Sequence, residues 1–175
     1  SVVVSMFLGH ALGTDELLKQ ADLAMYQAKA AGRNTVRFFD PAIQARLNAR
    51  AALEADLRQA VQRNELVLHY QPQVDTQGRC LGVEALVRWE HPQRGQVQPL
   101  DFIPLAEETG LILPIGQWVL CQACRTMAAW EADPRLAGLG MAVNVSARQL
   151  HQPDFVHNVR EQLRAHGIAT SLLKL

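Results

Sequence analysis

Charge of neither sign is in excess: 17 Lys and Arg face 17 Asp and Glu, for a formal net charge of zero. Such a chain has no global positive field to draw it onto a polyanion, so a nucleic-acid polymer is not expected as a partner. Apolar segments are broken by charge, Gly or Pro well short of the roughly 18 residues a membrane span needs, and no membrane contact is expected within the chain. The opening residues 1–10 are apolar but have no basic leader of the secretory kind, and they read as a buried strand. Cysteine is scarce and odd in number, with Cys80, Cys121 and Cys124, which argues against a disulfide framework and for a reducing, cytoplasmic setting. Cys121 and Cys124 are spaced as a redox or metal pair, but their flanks read as mid-helix and a second pair of ligands is missing. No His-Glu-x-x-His is present; His10, His69, His91, His151, His157 and His166 are scattered, which disfavours zinc.

What remains is 49% apolar, the composition of a globular protein. Residues 2–8 read as a strand and 9–14 as a turn. Asp15 can cap a helix carrying Leu18, Ala21, Met25 and Ala28 on its apolar stripe, and Gly32 stops it before a short strand at 35–39. Asp40-Pro41 marks a boundary. Residues 42–63 form a charged amphipathic helix with Leu53, Leu57 and Val61 on one stripe and Glu54 four residues before Arg58. It is either a connector between two domains or the first helix of the second. Residues 66–74 and 81–89 are strands joined by a link too short for anything but an antiparallel pair. Helices at 100–108, 114–132 and 153–165 then alternate with strands at 139–145 and 172–175, the pattern of an α/β domain with a largely parallel sheet.

Strand periodicity puts Glu84, Leu86 and Arg88 on one face and Val83, Ala85, Val87 and Trp89 on the other; Asn144 shares a face with Ala142 and Ser146. A buried carboxylate and a buried amide both need partners. Oxygen ligands of this kind suit Mg²⁺ or Mn²⁺. On composition alone the better explanation is structural, with Glu84 and Arg88 forming an internal ion pair and Asn144 a hydrogen-bonded core residue.

Four ordered blocks resolve that choice: residues 70–74 (Tyr-Gln-Pro-Gln-Val), 82–89 (Gly-Val-Glu-Ala-Leu-Val-Arg-Trp), 102–107 (Phe-Ile-Pro-Leu-Ala-Glu) and 142–149 (Ala-Val-Asn-Val-Ser-Ala-Arg-Gln). Together they resemble the opening of an EAL-type cyclic-di-GMP phosphodiesterase domain, from about residue 51 onward. The resemblance implies a (β/α)8 TIM-like barrel with one antiparallel strand, Glu84 as catalytic metal ligand joined by Asn144, and Mg²⁺ or Mn²⁺ as cofactor. It implies Arg88 on the phosphates of cyclic di-GMP, Gln71 and Leu86 in the dinucleotide pocket, and Asp101 as a further guanine contact. The implied reaction is hydrolysis to linear pGpG. A degenerate domain that binds cyclic di-GMP without cutting it is the alternative, and an interaction module with no nucleotide is a third. The family also implies a homodimer as a partner, on which these residues are silent.

Residues 21–29 (Ala-Asp-Leu-Ala-Met-Tyr-Gln-Ala-Lys) and Gly32-Arg33-Asn34 resemble the end of a GGDEF domain, an α+β fold, in which Lys29 and Arg33 correspond to GTP-phosphate contacts. The signature loop and metal-binding aspartates of that domain are not here, so cyclase activity is not expected. The organisation expected is a GGDEF remnant over 1–40, a connector helix over 41–63 and the N-terminal part of an EAL domain over 64–175. A barrel of this class takes about 250 residues, and by the family pattern further ligands follow Leu175: a glutamate, paired aspartates, a lysine and a later glutamate. The barrel is therefore expected to be cut short, inactive alone and left with open strand edges, within a parent protein that upstream domains tether to a membrane in some members.

Overall fold

A computed structural model describes residues 2–4, 13–30, 32 and 36–175. The chain divides into two compact units, residues 1–51 and 52–175.

In the first unit, β1 (Val2–Val4) runs parallel to β2 (Val36–Phe38), with α1 (Thr14–Ala30) between them in sequence. A parallel pair requires such a crossover. Asp15 and Glu16 lie in the first turn of α1 and Lys29 in the last, the placement a helix dipole favours. The buried stripe of α1 is Gln20, Ala24 and Ala28, while Leu18 and Met25 are exposed. Ala28 of the expected stripe is thus buried, but Leu18 and Met25 are not, because the adjacent apolar pair Leu17-Leu18 fits two helical phases and only packing decides between them. Val2 is exposed as well, against the expectation of a buried strand. The rest of the expected first strand, residues 5–8, lies outside the described residues, as do His10 and Arg33.

In the second unit the sheet order is β3 (Leu66–Val74), β4 (Cys80–His91), β6 (Gly140–Val143) and β7 (Leu173–Lys174), with β5 (Gly95–Val97) pairing the far end of β4. β3 and β4 are antiparallel, whereas β4–β6 and β6–β7 are parallel. The β3–β4 link is organised by Asp75, whose Oδ1 accepts from the backbone N–H of Gln77 and Arg79 at 2.8 and 2.9 Å and whose Oδ2 accepts from Arg79 Nε at 2.7 Å. These bonds, the Arg79 backbone N–H first, hold its carboxyl below the usual carboxylate range. β4 and β6 approach so closely that a Cβ on Gly82 would stand 2.7 Å from the Gly140 carbonyl oxygen.

One face of this sheet is covered by helices. α2 (Pro41–Ala60) contributes Leu57 and Ala60, and carries the expected Glu54–Arg58 ion pair at 2.5 Å. α3 (Pro99–Thr109) starts with Pro in its first turn and stops at Gly110, whose φ of 82° is the left-handed conformation that suits glycine. α4 (Ile112–Trp130) buries Ile115, Val119, Ala123 and Met127. Between them sits Trp89, fully buried, edge-on to Phe102 at 5.7 Å and to His91 at 5.4 Å, with its indole N–H donating to Glu65 Oε2 at 2.9 Å. His91 Nδ1 accepts from the backbone N–H of Gln93 and Arg94, which leaves the proton on Nε2, facing Asp56 Oδ2 at 3.3 Å. Tyr70 bonds Thr126 across β3 and α4 at 2.8 Å. A short α5 (Ala147–Leu150) and α6 (Phe155–Ala165) follow β6. The α/β architecture with its antiparallel β3–β4 pair is as expected; β5 and α5 are additions. Cys124 lies mid-helix in α4, and burial, with Cys121 nearby, pushes its thiol up to about 11, so at neutral pH it is protonated and inert.

Candidate active site

The other face of the sheet carries the polar groups. Register sets Gln71 opposite Glu84, His69 opposite Leu86 and Val67 opposite Arg88 across β3 and β4, and paired residues share a face. On the parallel side Glu84 pairs with Ala142, which pairs with Lys174. A row of Gln71, Glu84, Ala142 and Lys174 therefore crosses the sheet. Asn144, two residues past Ala142 and just beyond the end of β6, donates from Nδ2 to Glu84 Oε1 at 2.7 Å. The carboxylate and the amide that share no sequence neighbourhood are thus in direct contact. Glu84 is half-buried and Asn144, just past the end of β6, is exposed, not buried as expected.

The internal Glu84–Arg88 ion pair is not among the ion pairs of the described residues: Arg88 Nη1 instead donates to the Val87 carbonyl at 2.9 Å. Arg88, Leu86 and Asn144 line one cavity of about 310 Å³, together with Ile103, Ser146 and Gln149. Gln71 is exposed on the neighbouring strand. Asp101 is exposed in the first turn of α3 and is not part of that cavity lining, so the structure does not bring it together with the others. Lys29 is exposed in the last turn of α1.

For a divalent cation the donor chemistry fits. Asn144 Nδ2 is committed to Glu84 Oε1, which leaves Asn144 Oδ1 and Glu84 Oε2 as the hard oxygen atoms of the pair. Among the described residues no group of three or more His, Cys, Asp and Glu is placed to close a metal site.

Residues 54–175 match the EAL domain family. The chain belongs to the EAL domain family. Among curated relatives, this EAL chain is 46% identical to the bifunctional diguanylate cyclase/cyclic di-GMP phosphodiesterase MucR of Pseudomonas aeruginosa, over all of this chain and 26% of MucR. It is 41% identical to the cyclic di-GMP phosphodiesterase PdeR of Escherichia coli, over 86% of this chain and 22% of PdeR. Among solved structures it is similar to the c-di-GMP complex of the PaMucR phosphodiesterase, with 49% identity and a TM-score of 0.66 over 70% of this chain and 49% of that one. The chain spans about a quarter of the length of these curated relatives.

Sequence reasoning missed three features of the EAL site. His69 and Lys174 share the sheet face of Glu84, which strand registers reveal and a single strand's periodicity cannot. The third is the start of α5, where Ser146 and Gln149 form a reciprocal capping box. Its signal, Ser-x-x-Gln ahead of a helix, was legible inside the block that carries Asn144.

Proposed function

We propose that the chain is part of a cyclic-di-GMP phosphodiesterase that opens the dinucleotide to linear pGpG, using Glu84 and Asn144 as ligands of Mg²⁺ or Mn²⁺. The observation that carries the reading is the 2.7 Å contact between these two side chains, with Arg88 and Asn144 lining the adjoining cavity. When bound, a divalent cation supplies charge stabilisation at a phosphoryl oxygen and an acidified water. Glu84 and Asn144 fix where that charge sits. The Arg88 guanidinium offsets phosphate charge on binding, and Leu86 and Gln71 flank the base-binding space. Asp101, which lies outside that cavity lining, is a guanine contact only by the family resemblance.

Two oxygen ligands do not make an octahedral shell, so the 175 residues alone are expected to turn over no cyclic di-GMP. In a polypeptide extended through a whole barrel, Glu84→Gln is expected to lower kcat with Mg²⁺ by about a hundredfold, the scale of roughly 3 kcal/mol of lost charge stabilisation. Unchanged turnover would rule Glu84 out as a ligand. An extended wild-type protein that binds cyclic di-GMP but never cuts it would favour the receptor alternative.

The same reading divides the chain into a GGDEF remnant over 1–40, a connector over 41–63 and an EAL portion from 64. It rests on the likeness of residues 21–34 to the end of that cyclase domain, with Lys29 and Arg33 as vestigial phosphate contacts. No helix among the described residues is long and apolar enough to cross a membrane.

A further inference from the structure

Asn144 lies in a span of three residues between the last residue of β6, Val143, and the first of α5, Ala147. On one side it is held by the β4–β6 ladder, where Val143 pairs with Ala85. On the other side the holding group is Gln149. Its Oε1 accepts from Ser146 N at 3.1 Å and from Ser146 Oγ at 3.0 Å, while its own N–H donates to Ser146 Oγ at 3.2 Å. A glutamine amide of this kind has no business being buried, yet Gln149 is only 9% exposed.

The room it occupies exists because α4 has a glycine there. A Cβ on Gly116 would meet Gln149 Nε2 at 1.9 Å and its Cδ at 2.4 Å. Glycine inside a helix costs about 1 kcal/mol against alanine in general, so a packing reason for it is expected, and the Gln149 amide is that reason. Next to it, Arg148 Nη1 donates to the Glu107 carbonyl at 2.5 Å, tying α5 to the C-terminal end of α3 as well. The segment bearing Asn144 is therefore anchored at both ends, to the sheet by β6 and to α3 and α4 by α5.

We infer that Gln149, seated against Gly116, is the positioning residue that keeps Asn144 against Glu84 and so sets the affinity of the divalent-cation site. The inference rests on the reading of Glu84 and Asn144 as cation ligands. Gln149 is not a cation ligand in this reading; it acts through Ser146 and the backbone of 144–146. Partners that orient metal ligands commonly change affinity by about ten- to a hundredfold when removed.

The test uses the 175-residue chain with two readouts. One is the side-chain amide resonance of Asn144, which reports its bond to Glu84 with no metal present. The other is the Mn²⁺ dissociation constant by electron paramagnetic resonance. Gln149→Leu keeps the volume and deletes the acceptor; Gly116→Ala leaves Gln149 in the chain but evicts its amide. Both are expected to collapse the Asn144 resonance toward that of a free side chain and to weaken Mn²⁺ by about tenfold. Gln149→Glu keeps the acceptor, as the glutamate form of the capping box does, and is expected to stay within about twofold of wild type. A purely structural role would move the melting temperature of all three without separating Leu from Glu in the two readouts.

Should Gln149→Leu and Gly116→Ala both leave the Asn144 resonance and the Mn²⁺ affinity unchanged, the inference fails and the cation reading stands. If wild type itself shows no Mn²⁺ binding that Glu84→Gln weakens, the cation reading fails, and the metal half of the inference with it. Loss of the Asn144 resonance in Gln149→Leu would still support the positioning half.

Discussion

Alternate residues of β4 face opposite ways, and the two faces have opposite characters. Val83, Ala85 and Trp89 are buried in the core under helices, whereas Glu84, Leu86 and Arg88 are only half-buried. The first face is closed by shape: Trp89 meets Phe102 and His91 edge-on and satisfies its indole N–H on Glu65. The second is closed by register, which aligns Gln71, Glu84 and Ala142 across three strands and lets Asn144 reach Glu84. A single strand thus separates the packed apolar side chains from the polar ones, and substitutions on the two faces should be distinguishable by measurement.

The sharpest contrast comes from Trp89→Ala, which removes the largest fully buried side chain of the core. It is expected to cost about 3–5 kcal/mol in urea unfolding. Gly82→Ala comes next: the added methyl would stand 2.7 Å from a backbone oxygen of Gly140, where nothing can rotate away. The β4–β6 pairing should lose about 1–3 kcal/mol by the same measurement. Ser146→Ala deletes the cap of α5 and should cost about 1 kcal/mol. On the polar face Glu84→Gln keeps the volume and an acceptor for Asn144, so its unfolding free energy should stay within about 0.5 kcal/mol of wild type. A large loss from Glu84→Gln would break the comparison, since it would make the polar face a part of the core.

The cysteines sharpen it further. Cys80 is exposed at the start of β4, while burial holds the Cys124 thiol at about 11. The nucleophile is the thiolate, and a raised pKa keeps Cys124 protonated until the pH approaches that value. Alkylation at pH 8, read by mass spectrometry, is expected at Cys80 and not at Cys124, with Cys124 becoming reactive only in strong alkali or on unfolding.

Much of this was legible beforehand. Alternation in 82–89 assigns Trp89 and Glu84 to opposite faces, and the short link at 75–79 forces an antiparallel pair, because both follow from local backbone geometry. The i,i+4 pair of Glu54 and Arg58 is of the same kind. The phase of α1 was not legible, since Leu17 and Leu18 offer two stripes and the choice belongs to packing. Nor was the exposure of Asn144, which depends on what lies over the sheet and not on the strand that bears it. The fit of Gln149 against Gly116 joins residues more than thirty positions apart on different helices, and no periodicity encodes it.

In the proposed function Glu84 and Asn144 hold a divalent cation. Paramagnetic broadening by substoichiometric Mn²⁺, mapped residue by residue in the amide spectrum, tests it most directly. Broadening centred on Glu84, Ala142 and Asn144, and abolished by Glu84→Gln, is the result expected. Broadening spread over exposed carboxylates elsewhere, such as Asp101, and indifferent to Glu84→Gln, would contradict it.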